Sequence, residues 1–314
     1  MITQRQRGIA LVAVLWALVL LAVIAASVTR DSRTQARIAR NAIDAAAAEA
    51  LADAGLHRAI EALGRRGGDR MRVDGTIYSW RFGGGEVRIA VEDEGGKIDL
   101  NHADEALIAA LLAAAGAGPG RATELAAAIA DFRDADDLVR PGGAEDEDYR
   151  RAGRAAGPKD APFAAVEELL DVLGMTPELY GRIAPAVTVH SRRRLPMREL
   201  APPLVGAALA GLEVGRGAAG RPASRAAENG GDGPAGEDEA AAVPFDPTLR
   251  VLAEGPSARR SRALVYTVHA EARMEGGAVF ARRAVVRLLA RGESPYRVLV
   301  WGQGPRGLFP AEAN

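Results

Sequence analysis

Apolar and polar positions alternate along this chain with periods that change from stretch to stretch. Ile9 to Val28 carries no charge and is almost wholly apolar, and Arg5 and Arg7 stand just before it. A helix of that length would be about 30 Å long, the thickness of a bilayer's hydrocarbon core. Thr29 to Leu63 then contains no proline and one glycine, Gly55. Ala39, Ile43, Ala46, Ala50, Ala54, Leu56, Ile60 and Leu63 recur there at helical spacing, with Arg30, Arg33, Arg37, Arg40, Asp44, Glu49 and Asp53 on polar faces. Gly64-Arg65-Arg66-Gly67-Gly68 ends the pattern. One helix, Ile9 to Leu63, is predicted, half apolar all round and half amphipathic.

The period then shortens to two. Tyr78, Trp80 and Phe82 share one face of Thr76–Phe82, Gly83-Gly84-Gly85 turns, and Val87, Ile89 and Val91 share a face of Glu86–Asp93. The pair reads as a β-hairpin. From Lys97 to about Val189 the period is helical again. Asn101 is a candidate N-cap for a helix Asp104–Ala115, Gly116-Ala117-Gly118-Pro119-Gly120 breaks it, and Ala122–Arg133 follows with Leu125 and Ile129 inward. Pro162–Leu173 and Pro177–Ile183 form a second pair around Gly174. Each pair resembles a helix-hairpin-helix unit. A last helix lies in Leu195–Leu212, entered at Pro202-Pro203. Gly215 to about Val243 has no apolar periodicity and reads as a linker or long loop. Strands return at Ala263–Met274 (Leu264, Tyr266 and Val268 on one face), Ala278–Leu289 and Tyr296–Trp301. A sheet that starts before the helical block and resumes after the linker implies an α+β fold with the helical block inserted.

Charge narrows the chemistry. The chain has 314 residues with a net charge of −1, so bulk basicity does not point to nucleic acid. Between Lys97 and His190 there are 17 acidic residues against nine basic ones, a difference of −8, and a block that acidic repels a polyanion. There are no cysteines and four scattered histidines, His57, His102, His190 and His269, so thiolate sites and HExxH-type metal signatures are absent. No GxSxG, P-loop or dinucleotide fingerprint follows a strand, and an enzyme is not expected. What does stand out is an acidic loop, Asp131 to Tyr149. Hard cations such as Ca²⁺ take six to eight oxygen ligands, and converging carboxylates repel one another without one. The spacing is not that of an EF-hand, and a solvated acidic loop is the plainer reading.

The N-terminus allows three readings: a cleaved secretory signal with Ala25-Ala26-Ser27 as its cleavage site, a plain membrane anchor, or a prepilin-type leader. In the third, a short basic leader ends in Gly8 and cleavage leaves the apolar helix, from Ile9, as the mature N-terminus. The order of the pieces resembles one family. A Gly-ended basic leader, an apolar helix, a sheet start and Asp93-Glu-Gly-Gly-Lys97-Ile-Asp-Leu-Asn101 come first. Ile129-Ala-Asp-Phe-Arg-Asp134, Gly143-Ala-Glu145, Phe163-Ala-Ala-Val-Glu-Glu-Leu169 and Pro185-Ala-Val-Thr-Val189 follow. Together they are similar to the protein K family of the type II secretion system, the GspK-type minor pseudopilins.

The resemblance implies a fold and a role. The fold is α+β: a pseudopilin fold with a long N-terminal transmembrane helix, an antiparallel sheet, and an inserted all-α domain of helix-hairpin-helix or SAM-like type. The implied division is leader 1–8, helix 9–63, first sheet part 64–96, inserted domain 97–212, linker 213–245 and second sheet part 246–314. Prepilin peptidase would cut between Gly8 and Ile9 and Ile9 would be N-methylated. The chain would be a single-pass inner-membrane protein, periplasmic in bulk. It would sit at the pseudopilus tip with minor pseudopilins of the I and J types and the major pseudopilin, and without nucleic acid. Most pseudopilins carry Glu at mature position five, where this chain has Ala13, a departure shared by the K family. Ca²⁺ is implied in the inserted domain, with Asp134, Asp136, Asp137, Glu145 and Asp148 as candidate ligands. The alternative is a membrane-anchored periplasmic helix-hairpin-helix module that binds DNA.

Overall fold

The computed structural model describes residues 5–65, 71–219, 249–253, 264–289 and 294–309. Helix α1 (Arg5–Gly64) runs unbroken for 60 residues. Its described side chains from Leu11 to Ile24 are all exposed. Among the described residues no helix is long and apolar enough to cross a membrane; the side chains at both ends of the predicted apolar run, 9–10 and 25–28, lie outside those described. Packing starts later. Ala48, Leu51, Ala52, Leu56, Ala59, Ile60 and Leu63 are buried against a sheet. Of the predicted stripe only Leu56, Ile60 and Leu63 are buried, and Ile43 is 67% exposed. Alanines on every face hide which face is the inner one. A Cβ at Gly55 would lie 2.7 Å from Val87 Cγ2, so glycine there lets helix and sheet approach closely.

Among the described residues the sheet has six strands, all paired antiparallel. Strands β1 (Asp74–Phe82) and β2 (Gly85–Asp93) form the predicted hairpin. The helical block follows: β3 (Ile98–Asp99), α2 (Glu105–Ala114), α3 (Pro119–Arg133), α4 (Asp146–Arg151), α5 (Pro177–Ile183), β4 (Val187–Thr188) and α6 (Pro203–Ala219). The sheet resumes with β5 (Leu249–Ala253), β6 (Val265–Met274), β7 (Val279–Leu288) and β8 (Tyr296–Gln303), in the order β5-β1-β2-β6-β7-β8. Strand β2 thus pairs directly with β6, with Asp93 opposite Tyr266, although the whole helical block lies between them in sequence. Strands β3 and β4 pair in parallel, Ile98 with Val187 and Asp99 with Thr188, so the block's entry lies beside the chain that leaves α5.

Two apolar clusters result. One joins α1 to the sheet and includes Leu56, Leu63, Val87, Ile89, Tyr266 and Val286. The other lies within the helical block and includes Leu107, Leu111, Ile129, Phe132, Tyr149 and Leu179. Pro119 stands in the first turn of α3, where its missing N–H costs nothing. Leu125 and Ile129 point inward as expected.

Several expectations need correction. Residues 162–173 form a short 3₁₀ turn, Val166–Leu170, not an α-helix, so the second helical pair lacks its first member. Asn101 does not cap α2. Its side chain instead accepts from Phe163 N at 2.7 Å and donates to Phe163 O at 2.9 Å, while Asp104 takes the N-cap position without a side-chain capping bond. Strand β5 lies just past the predicted linker, in a stretch with no alternation long enough to mark it. Helix α6 extends to Ala219, beyond the start of that linker, and the rest of the linker lies outside the described residues.

Candidate functional site

The acidic loop is built around Asp131, a residue at the end of α3 with no exposed side-chain surface. Its Oδ2 accepts from Arg140 N at 3.2 Å and Ala144 N at 3.0 Å, and its Oδ1 meets Arg140 Nη1 at 2.6 Å. The same Nη1 also contacts Asp134 Oδ2. One guanidinium therefore holds two carboxylates, and Asp131 folds the loop 134–144 back on itself. A Cβ at Gly143 would collide with the Asp131 carboxylate, so a glycine is needed where the chain crosses it. This accounts for the Gly143-Ala-Glu145 motif.

Glu145 is the anomalous member. It is only 7% exposed, and its Oε1 has no hydrogen-bond partner. Burial first, and then the charges of Asp131, Asp134, Asp160 and Asp137, push its carboxyl up to about 7. Asp134 Oδ1 is likewise buried without a partner. Burial and the charges of Asp137, Asp146 and Asp134 raise the Asp160 carboxyl too. Buried oxygens left without hydrogens call for an explanation.

The five predicted ligands therefore divide. Asp134 and Glu145 share one cluster. Asp137 is exposed but acts on both Glu145 and Asp160. Asp136 turns to its own backbone, its Oδ1 accepting from Leu138 N at 3.1 Å. Asp148 is used elsewhere: its Oδ2 accepts from Glu145 N at 3.2 Å, and its Oδ1 pairs with Arg151 at 2.7 Å. Asp131, which opens the acidic loop without being among the expected ligands, and Asp160, which lies outside that loop, join the cluster. A lone Asp on the apolar face of α3 was a usable signal for Asp131. Nothing local marks Asp160, twelve positions past Asp148. Among the described residues no three acidic or histidine side chains are arranged to hold a metal ion as they stand.

The second motif-bearing region is the junction between sheet and helical block. Asp93 Oδ1 accepts from Gly95 N at 2.8 Å. Glu94 is buried and meets Lys97 Nζ at 2.8 Å and Thr267 Oγ1 at 2.6 Å. Lys97 also reaches Glu92 at 3.0 Å. Burial alone would raise the Glu94 carboxyl; Lys97, with hydrogen bonds from Lys97, Thr188 and Thr267, more than offsets it and holds it at about 2. Thr188 belongs to β4 and Thr267 to β6, so one carboxylate ties together the hairpin's end, the chain that leaves α5 and the returning strand. Asp99 completes the lock, accepting from Asn101 N at 2.9 Å, Ser191 Oγ at 3.2 Å and Arg192 N at 2.7 Å. Gly8 and Ile9 lie within α1, but their side chains are outside those described.

Residues 89–192, which hold both regions, match the family described as type II secretion system (T2SS), protein K. A curated relative, type II secretion system protein K of Klebsiella pneumoniae, is 30% identical over 206 residues. That match spans 59% of this chain and 63% of the relative's length. Among solved structures, a chain of the GspK-GspI-GspJ complex from the type 2 secretion system of enterotoxigenic Escherichia coli is similar in fold. Its TM-score is 0.54 at 17% identity, covering 88% of this chain and 99% of that one.

Proposed function

We propose that this chain, similar over residues 89–192 to the type II secretion system protein K family, is a minor pseudopilin that caps and starts the tip of a periplasmic pseudopilus, serving protein export across the outer membrane. The observation that carries the reading is one continuous α1 with two unlike ends: an exposed apolar run, Leu11–Ile24, and a final stretch from Ala48 packed on the sheet. Exposed apolar side chains over Leu11–Ile24 suit lipid and the helices of other pseudopilins. In this reading Ile9–Val28 spans the inner membrane, with Arg5 and Arg7 on the cytoplasmic side. Prepilin peptidase cuts between Gly8 and Ile9, and Ile9 is N-methylated. Minor pseudopilins of the I and J types and the major pseudopilin are the partners. Ala13, where most pseudopilins carry Glu, suits a tip subunit with no subunit above it to pair with. The protein's work is assembly, not catalysis.

Intact-mass and N-terminal analysis of the chain from native membranes tests this reading. A mature chain beginning at methylated Ile9, copurifying with I- and J-type pseudopilins, is expected. A start at Met1 or near Ser27 would overturn it.

A specific observation supports a second element of the reading, a calcium ion in the acidic loop. The partnerless oxygens of Glu145 and Asp134 lie in a cluster where burial and the neighbouring carboxylates push the Glu145 carboxyl up. The donors are hard oxygens on a loop, which fits Ca²⁺. Asp131, Asp134, Asp137, Glu145 and Asp160 would hold the ion, which would supply the charge the cluster lacks. Calcium should raise the thermal midpoint, by mass action on the folded state, and Glu145→Gln should abolish that rise.

A further inference from the structure

Strand β8 ends one side of the sheet, and among the described residues no strand pairs with its outer edge. An open edge is a row of free backbone donors and acceptors, and proteins blunt such edges with charge, proline or brevity. Strand β8 does little of this. From Tyr296 to Gln303 it carries one charge, Arg297, and no proline. A bulge at Leu299, where the register with β7 shifts, is its one irregularity. Val298, Val300 and Trp301 are each more than a third exposed, so the edge is apolar as well as open.

The charges around this edge are of one sign. Arg287 of β7 stands directly opposite Arg297 of β8, on the face turned away from α1, because Val286 and Leu288 on either side of it pack toward α1. Like charges placed so repel. Neither makes an ion pair among the described residues, and neither does Arg283, which lies on the same face of β7 with Gly302 opposite it. Gly302 places no side chain between Arg283 and the edge. Val285 and Val300, also paired, lie between these two cationic ends. Residues 264–289 and 294–309 together hold six arginines against two glutamates. Only Arg282 among those arginines is taken up by carboxylates, Glu49 and Asp53 of α1.

We infer that the outer edge of β8 is a docking site for one occupant: an extended strand of another pseudopilin, carrying carboxylates on either side of an apolar residue. The inference deepens the pseudopilin reading above and rests on it. The incoming strand would join the sheet through backbone hydrogen bonds and set its apolar residue beside Val300. Its carboxylates would meet the Arg287–Arg297 pair at one end and Arg283 at the other, relieving the repulsion. Its other face would cover Val298 and Trp301, which pair with Val286 and Ala284 on the α1 side. An anionic lipid surface fits less well. Arg282 meets Asp53, 29 positions past Ile24 (53 − 24), which is about 44 Å of helix at 1.5 Å per residue. The β6–β7 turn lies nearer the apolar end of α1, with Gly276 against Asp44. Strand β7 therefore runs away from that end and carries Arg287 further from it.

The test is assembly of the full chain with I- and J-type pseudopilins in detergent, followed by analytical ultracentrifugation, with hydrogen exchange on the free and the assembled chain. The amides of β8 should gain protection on assembly. Arg297→Glu should weaken assembly by about tenfold or more without lowering the thermal midpoint, because the new carboxylate faces Arg287 within the chain. Val300→Lys, which puts a charge on the open edge, should weaken assembly too and serves if the first variant does not fold. Arg150→Glu, the same charge change at an exposed position on α4, should leave assembly within about twofold, because exposed charges are screened. Wild-type assembly with unchanged β8 amides and unaffected variants would overturn the docking site and leave the pseudopilin reading intact. No assembly by wild type would overturn both. Equal weakening by Arg150→Glu would reduce the effect to net charge and overturn the site. So would a preference for anionic over neutral phospholipid vesicles, or retention on a DNA duplex, that Arg297→Glu removes.

Discussion

Lys97 reaches two carboxylates from a position almost closed to water, its side chain 6% exposed, and the partners lose different things when it is removed. Glu92 can turn to solvent, since its side chain is 42% exposed. Glu94, 2% exposed, cannot. Lys97→Met should therefore destabilise the protein by about 3–5 kcal/mol, the usual cost of stranding one member of a buried ion pair; chemical denaturation would measure it. Lys97→Met combined with Glu94→Gln should recover much of that loss, because no stranded charge remains. The pH dependence has a definite sign. The folded Glu94 carboxyl sits at about 2, below its ordinary 4.5, so the folded state favours its ionised form. Its contribution is present above about pH 4.5 and is lost as pH falls toward 2. Acid titration of the thermal midpoint should show this loss in wild type and a smaller one in Glu94→Gln.

Two glycines separate two kinds of substitution. Gly96 lies against the Leu200 carbonyl, where a Cβ would collide with backbone, and Gly95 O accepts from Met197 N at 2.8 Å alongside. Gly96→Ala should push the 197–200 segment away and lower stability by about 1–3 kcal/mol. Gly181 stands on the exposed side of α5 with nothing within 4 Å of a Cβ. Gly181→Ala should add roughly 0.5–1 kcal/mol through helix propensity. Differential scanning calorimetry on the pair would give opposite shifts.

The same contrast shows what the sequence made legible. Periodicity placed α1, the β1–β2 hairpin, α3, α5 and the returning strands, because burial on one face leaves a pattern of two or of about 3.6. It failed where the reason for a residue is a distant partner. Asn101 reads as a helix cap because a cap is local, yet its partner, Phe163, is 62 positions away. Residues 162–173 have helical composition, but their path is set by docking Leu169 and Val172 into the block's core. In the acidic loop the carboxylates were visible as a run. Arg140, the cation among them, was read only as a charge to be counted, and Asp160 joins them through a fold that no spacing reveals.

At the scale of the whole molecule, the two apolar clusters share no residues, and the junction joining them is polar: Glu94, Lys97, Thr188 and Thr267. The helical block and the helix-sheet unit should therefore lose structure separately. Ile129→Ala, which empties part of the block's core, should cost about 2–5 kcal/mol there. Hydrogen exchange should speed up in α2, α3 and α5, while the amides of β2, β6 and β7 keep their protection. Uniform loss across both units would mean that the junction transmits strain.

The pairing of Asp93 with Tyr266 joins positions 173 apart in the chain (266 − 93), and such contacts are slow to find because the intervening chain must first be brought to heel. Here the obstacle contains its own remedy. Once the helical block has folded, β3 and β4 hold its start beside the chain that leaves α5, with Ile98 against Val187. Roughly half of the intervening chain, from Ile98 to Val187, is then bridged before β2 meets β6. The block would act as a splint during folding, and the order of events follows: local helices first, sheet closure last. A slow final phase, quickened by substitutions that stabilise the block alone, is the kinetic trace this topology should leave.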